Sequence, residues 1–307
     1  MCGIFFLGDL DKENCLFDKK KINKSISYLK LRGPDFSKID YHNNFVIAHT
    51  RLSIIDLTNK SNQPFYDITK NYILSFNGEI YNYIELKKKL QKFNIRFKSN
   101  SDTEILLYCL IYFGINETLN IIEGMFAFIF VNKEKKQIYA ARDKFGQKPI
   151  YYYFIKNKLI ISSSINSILE NTGSSSFDEK SMILFLNPAG NQGTRGLFTE
   201  QTTFFKNIKS LSAGEVIKFN RYSKKKIKYF DIKKLFSLDQ YNRNKEKSEE
   251  KLLSDLAELF HSSISYHSIS DVNNGIFLSG GIDSSLIHYF SKKIKKNLYS
   301  FTKISPN

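Results

Sequence analysis

Cysteine is scarce in this chain. Three occur in 307 residues (Cys2, Cys15 and Cys109), an odd number without Cys-x-x-Cys spacing. That pattern argues against a disulfide framework and against a zinc site. No apolar run reaches the ~20 residues that span a bilayer. No basic region followed by an apolar stretch and a cleavage site opens the chain, so a secretory route is not expected and a cytoplasmic setting is. Acidic residues are outnumbered, 30 against 46, which leaves a net charge of +16. Such a balance raises nucleic-acid binding. The lysines are scattered, however, in short runs such as Lys224-Lys225-Lys226, Lys233-Lys234 and Lys292-Lys293. No basic stripe interleaved with stacking aromatics is present, so a solvated lysine-rich surface is expected, with neither a nucleic acid nor a membrane as partner. Tryptophan is absent while Lys, Asn, Ile, Phe and Tyr abound, the composition of an AT-rich genome. No internal repeat is visible.

What is present is enough for a sizeable core: 42% hydrophobic and 15% aromatic residues. The length predicts two domains. The first two thirds alternate short strands and helices. Ile4 to Gly8, Phe45 to Ile55 and Tyr72 to Phe76 read as strands. Ile22, Ile26 and Leu29 mark one helix face. Asn82 with Glu85, and Ser101 with Glu104, have capping-box spacing. Runs such as Met125 to Phe130 predict a sheet buried on both faces, and hairpins are expected at Lys133-Glu134-Lys135 and Asn157-Lys158. Glycine- and serine-rich loops are expected at 173–176 and 187–203. A charged stretch leads into an amphipathic helix capped by Ser248, with Leu252, Leu253, Leu256, Leu259, Phe260 and Ile264 on one side.

Three places carry chemistry. Met1-Cys2-Gly3-Ile4 makes Cys2 N-terminal once Met1 is removed, giving a thiol nucleophile and an α-amine base on one residue. The α-amine has an ordinary pKa of about 7.7–8.0, suited to that task. Phe76-Asn77-Gly78-Glu79-Ile80-Tyr81-Asn82 ends a strand, and an Asn amide beside a Gly N–H can form an oxyanion hole; an ordinary Asn-Gly turn is the plain alternative. Ser279-Gly280-Gly281-Ile282-Asp283-Ser284-Ser285 lies between a buried strand, Ile276-Phe277-Leu278, and a helix from Leu286. Glycine backbone N–H groups, serine hydroxyls and a helix N-terminus together suit phosphate binding. The Gly-Lys-Ser/Thr end of a Walker loop is missing, and a simple Gly-Gly turn is the alternative. Arg51 and Asp102, taken alone, could equally be a surface ion pair and a helix cap.

These segments, with Arg32-Gly33-Pro34-Asp35, Arg51-Leu52-Ser53-Ile54-Ile55-Asp56, Ser101-Asp102-Thr103-Glu104, Gly124-Met125-Phe126-Ala127-Phe128 and Arg142-Asp143-Lys144-Phe145-Gly146-Gln147-Lys148-Pro149, stand in one order along the chain. In that order they resemble the glutamine-hydrolysing asparagine synthetases. The resemblance implies an α+β fold: a class II glutamine amidotransferase domain, an αββα N-terminal-nucleophile sandwich, over 2–220. A linker over 221–247 and the start of an α/β ATP-pyrophosphatase domain over 248–307 would follow. It implies Cys2 as nucleophile and Asn77 with Gly78 as oxyanion hole. Arg51 would hold the glutamine α-carboxylate, and Glu79 and Asp102 its α-ammonium. Ammonia would pass through an internal tunnel to aspartate activated by ATP as β-aspartyl-AMP. Ser279, Gly280, Gly281, Asp283, Ser284 and Ser285 would bind ATP, and Asp283 would meet Mg²⁺ through the pyrophosphate.

The chain departs from that family in places. Leu31 precedes Arg32 where histidine is usual, Ser212-Ala213-Gly214 replaces Pro-Pro-Gly, and the glycine-rich stretch from Asn187 to Gly196 is distinct. The family's second domain runs a few hundred residues past the loop, whereas this chain ends at Asn307. A truncated copy is therefore expected, as a homodimer or paired with a separate C-terminal half. Two further readings stay open: an amidotransferase for a sugar acid or another carboxylate, and a non-catalytic partner subunit.

Overall fold

The computed structural model describes residues 1–173, 176–186, 201–221, 223–295 and 297–303; most of the two expected loops, at 174–175 and 187–200, lies outside them. The chain divides into two units. The first is Met1–Ser53 with Thr58–Phe230, and the second is Ile54–Leu57 with Asp231–Asn307.

The first unit is built on two six-stranded sheets. One runs in the order β10 (Ile208–Ser210), β8 (Tyr151–Ile155), β9 (Lys158–Ser162), β1 (Gly3–Asp9), β3 (Phe45–Arg51), β2 (Phe36–Tyr41). The other runs β12 (Lys224–Lys228), β11 (Glu215–Phe219), β7 (Gln137–Arg142), β6 (Gly124–Asn132), β5 (Tyr72–Ile80), β4 (Phe65–Tyr66). All the pairings of described strands in these sheets are antiparallel.

Side chains alternate across a strand, so each strand feeds two layers. Ile4 and Phe6 of β1 join Ile47, Ile73, Ala127, Ile129 and Val131 in the layer between the sheets. Phe5 and Leu7 face the other way, onto Ile22, Ile26 and Leu29. In β6, Phe126, Phe128 and Phe130 pack on Leu86, Leu90 and Leu106 of the helices Tyr83–Leu90 and Asp102–Tyr112. The continuous apolar run of β6 thus reflects burial on both faces, and the order is helix, sheet, sheet, helix: an αββα sandwich.

Local details differ from the sequence expectations. The β8–β9 turn sits on Lys156 and Asn157, both at positive φ, 47° and 63°, one residue earlier than expected. Asn82 makes no side-chain cap; its amide bonds Ile121 O and the Glu123 N–H instead. Ser101 does cap its helix, through the Thr103 N–H, whereas Glu104 turns to the Lys98 and Ser99 N–H groups. Part of the expected linker is a strand, since β12 pairs with β11 from Glu215↔Lys228 to Phe219↔Lys224. Gly214 holds the tight bend before β11 at φ 67°, where a Cβ would meet Phe230 O at 2.7 Å.

In the second unit, β13 (Gly275–Phe277) and β14 (Tyr299–Phe301) form a two-stranded parallel sheet beside the helices Glu249–His267 and Ile282–Ile294. Ser248 caps the first of these helices through the Lys251 N–H. The strand expected to be buried is not: Phe277 is 87% exposed. Of the expected apolar helix face, Ile264 is buried while Leu252, Leu253, Leu256 and Leu259 are exposed. Two paired strands offer too little surface to cover both a strand and a helix stripe.

Candidate active site

Cys2 lies immediately before β1, and Gly3 explains how it is seated. A Cβ on Gly3 would meet Thr50 Oγ1 at 2.5 Å and Leu29 Cβ at 2.7 Å. Gly33 backs onto the same place, its absent Cβ 2.3 Å from the Thr50 carbonyl. The two glycines let the N-terminus and the Arg32–Asp35 turn close on β3. Arg32 Nε then donates to Cys2 O at 3.1 Å, and the Asp35 carboxylate accepts from the Ser53 N–H at 2.7 Å. The Leu52 N–H points at Cys2 Sγ at 3.4 Å. Burial raises the Cys2 thiol pKa, opposed by the Leu52 peptide, the α-amine and Arg51. The α-amine, carried by Met1 in the encoded chain, is lowered by burial.

The middle layer turns polar at this end of the sandwich. On β3, His49 and Arg51 share the inward face with Phe45 and Ile47; on β5, Ser75, Asn77 and Glu79 share it with Ile73. Arg51 is fixed by the loop at 58–62, through Thr58 O at 2.9 Å, Asn62 Oδ1 at 2.8 Å and Ser61 Oγ at 2.6 Å. Asp102 is buried at its helix start and accepts from the Ile80 N–H at 2.9 Å. Burial, aided by the Glu79 charge, pushes its pKa up to about 7 against the hydrogen bonds from Ile80, Thr103 and Ser101.

Asn77 is 1% exposed, and neither Nδ2 nor Oδ1 has a hydrogen-bond partner among the described residues. A buried amide without partners costs stability unless it serves a ligand. Asn77 and Gly78 lie within β5, which runs on to Ile80, so they form no turn. Their backbone directions follow from register. Antiparallel pairs alternate between hydrogen-bonded and non-bonded, and Phe76, Gly78 and Ile80 stand opposite Phe128, Phe126 and Gly124. The Phe76 N–H goes to Gln63 and the Ile80 N–H to Asp102, away from β6. The Gly78 N–H therefore points to that same edge, between them. Glycine is required here, since a Cβ on Gly78 would lie 2.1 Å from Met125 O.

Electrostatics bring these groups together: the Cys2 thiol feels both Arg51 and Asp102, and Asp102 feels Glu79. Three neighbours escaped the sequence reading. Arg32 grips the Cys2 carbonyl. Lys148 is 8% exposed, its pKa lowered by burial and raised by Glu79, Asp143 and Cys2. His49 is wholly buried. The signal available for the first two was their position inside the quoted motifs.

The nucleotide-loop residues lie in the second unit. Gly280 sits at φ 83° with open space around it. The Gly281 N–H reaches Ser279 Oγ at 3.4 Å, Ser279 and Ser284 hydroxyls are 3.1 Å apart, and Ser284 Oγ donates to Gly281 O at 3.0 Å. Gly281 precedes the helix Ile282–Ile294, which carries Asp283 in its first turn. Gly280, Gly281, Asp283 and Ser285 are exposed.

Residues 1–230 match the glutamine amidotransferase domain family. The chain belongs to that family. Residues 255–304 match the asparagine synthase family. Asparagine synthetase [glutamine-hydrolyzing] 2 of Bacillus subtilis is 33% identical over 99% of this chain and 40% of its own length. A putative asparagine synthetase [glutamine-hydrolyzing] 2 of Methanocaldococcus jannaschii is 32% identical over 94% and 56%. Asparagine synthetase B [glutamine-hydrolyzing] of Escherichia coli is 28% identical over 95% and 45%. The chain thus spans about half the length of the curated relatives it matches. The solved glutamine phosphoribosylpyrophosphate amidotransferase from B. subtilis, in complex with ADP and GMP, superposes with a TM-score of 0.53 at 14% identity. It covers 97% of this chain and 65% of its own, a likeness in fold.

Proposed function

We propose that the first unit hydrolyses glutamine at Cys2 and that the ammonia serves a glutamine-dependent asparagine synthesis. The observation that carries this reading is the buried Asn77 amide, without a hydrogen-bond partner among the described residues, beside the Gly78 N–H that faces away from β6, at the end of the sandwich that also holds Cys2.

The chemistry runs as follows. With Met1 removed, the Cys2 α-amine takes the thiol proton and Sγ attacks the glutamine side-chain carbonyl carbon. The carbonyl oxygen becomes an oxyanion facing Asn77 Nδ2 and the Gly78 N–H, fixed dipoles that need no reorganisation. The proton returns to the leaving nitrogen, the C–N bond breaks, and ammonia departs from a thioester. Water, deprotonated by the same amine, attacks the thioester carbon; glutamate leaves and the thiol is restored. Arg51 takes the α-carboxylate, and Glu79 with Asp102 the α-ammonium, so a free amino acid is preferred over a peptide amide.

For the second unit, the open backbone at Gly280, the serine hydroxyls and the helix start fit the phosphates of ATP. Asp283 is one carboxylate in the first turn, which suits Mg²⁺ shared with phosphate oxygens. Bound Mg²⁺ would neutralise phosphate charge. Aspartate is the proposed acceptor, and the cytoplasm the proposed setting. Among the described residues, no helix is long and apolar enough to cross a membrane.

Glutamate release from glutamine by the purified chain tests the reading. Activity is expected in the wild type and in Cys15→Ala, is abolished in Cys2→Ala, and accompanies loss of Met1 by mass spectrometry. An inactive wild type, or an active Cys2→Ala, overturns it.

A further inference from the structure

The Phe76 peptide groups are satisfied in an unusual way. The short β4 pairs with β5 at Leu74 and Ile73; among the described residues no strand pairs with this edge of β5 beyond Leu74, and side chains take over. The Phe76 N–H donates to Gln63 Oε1 at 2.7 Å, and Gln63 Nε2 in turn donates to Thr103 Oγ1 at 3.3 Å. Phe76 O accepts from His49 Nε2 at 3.0 Å. A carbonyl only accepts, so Nε2 carries the imidazole proton and Nδ1 is bare; Nδ1 has no partner among the described residues. Complete burial pushes the His49 pKa down to about 3, so the ring is neutral at every working pH.

His49 stands on β3 opposite Ile4 of β1, two residues from the nucleophile. Its bond crosses from the sheet that carries Cys2 to the strand that carries Asn77. Ser75 Oγ, bonded to Ala48 O at 3.2 Å, makes the adjoining link. The Phe76 carbonyl and the Asn77 N–H belong to one planar peptide. Fixing that carbonyl therefore fixes the peptide plane that ends at the Asn77 Cα, from which the Asn77 side chain projects; the Gly78 N–H lies one peptide further on.

We infer that His49 and Gln63 are positioning residues for the oxyanion hole: His49 holds the Phe76–Asn77 peptide and Gln63 the Ser75–Phe76 peptide before it, which together set Asn77 in place relative to Cys2. Neither touches substrate, and His49 is not a general base. The inference rests on the glutaminase reading above.

The test is steady-state glutamine hydrolysis by the full chain. The variants are His49→Leu, His49→Gln and Gln63→Met, each made in the wild type and in Asn77→Ala, with thermal melting as the folding control. His49→Leu and Gln63→Met are expected to lower kcat by about 10- to 100-fold, the scale of a misplaced catalytic group, with KM for glutamine within about threefold. His49→Gln, whose amide can reach the same carbonyl, is expected to restore most of kcat. In the Asn77→Ala background the loss should largely vanish, because the group being positioned is gone. Gln63→Met lies on a different segment, so a folding failure of His49→Leu leaves the test intact. Unchanged kcat in either folded variant, a rise in KM alone, or the full loss persisting in Asn77→Ala overturns the inference. A wild type without glutaminase activity would instead overturn the reading beneath it.

Discussion

The two units use the same kind of sequence and reach different ends. In the first, the apolar faces of β1, β5 and β6 close on one another and on helices, so Phe5, Phe6, Phe76, Phe126 and Phe128 are essentially fully buried. In the second, a helix with an equally clear apolar stripe leaves Leu253 and Leu259 at 59% and 68% exposure. Periodicity tells which face of an element is apolar. Whether that face is covered depends on how many other elements pair around it. The chemical sites follow the same division. The Cys2 site sets buried polar groups in fixed positions, and the Ser279 loop presents exposed ones.

The sharpest break in this comparison is energetic. Phe128→Ala empties a closed layer and should cost about 3–5 kcal/mol, measured by denaturant unfolding of the first unit; a cost below ~1 kcal/mol would mean that the sandwich is not close-packed. Next is Asn77→Ala. Its amide makes no hydrogen bond among the described residues, so its removal should leave folding intact while kcat falls roughly 10²–10³-fold. A pure KM effect would remove it from the oxyanion hole.

A smaller effect comes from Asp102. Its pKa is raised to about 7, so in the free protein it is protonated below that pH and charged above it. The substrate α-ammonium favours the charged form, hence KM for glutamine should rise as pH falls below about 7, by up to tenfold per unit. The sign for stability is the reverse: ionising this buried carboxyl costs stability between its unfolded value, about 3.9, and 7. A KM flat from pH 8 to 5.5 would separate Asp102 from the ammonium. The smallest change is Leu259→Ala, expected within about 0.5 kcal/mol because the side chain is already exposed. A loss as large as that of Phe128→Ala would show that the helix face is covered in solution.

Much of the sandwich was legible because doubly buried strands cannot afford polar residues, as in Met125 to Phe130. Cys2, Asn77, Arg51 and Asp102 were legible as residue types in order along the chain. His49 and Gln63 were not. They meet Phe76 across 27 and 13 residues of sequence, His49 from the facing sheet and Gln63 from the loop before β4, approaches that no local pattern encodes. Asn82 misled for the converse reason. Its spacing to Glu85 fits a cap, but Ile121 and Glu123 lie closer in space and took the amide. The strand expected over Tyr72 to Phe76 runs on to Ile80, because at Gly78 the missing Cβ permits a close approach of Met125 O.

The grip of Arg32 on the Cys2 carbonyl has a consequence for the entropy of the reaction. Chain termini ordinarily fray, and ordering one residue's backbone costs about 1–2 kcal/mol. Here the proposed nucleophile is tethered at its carbonyl by Arg32 and steered at its sulfur by Leu52. On the proposed reading, that ordering is met once, at folding, rather than at each turnover, so the segment that bears the thiol acts as a rigid reagent of fixed bearing.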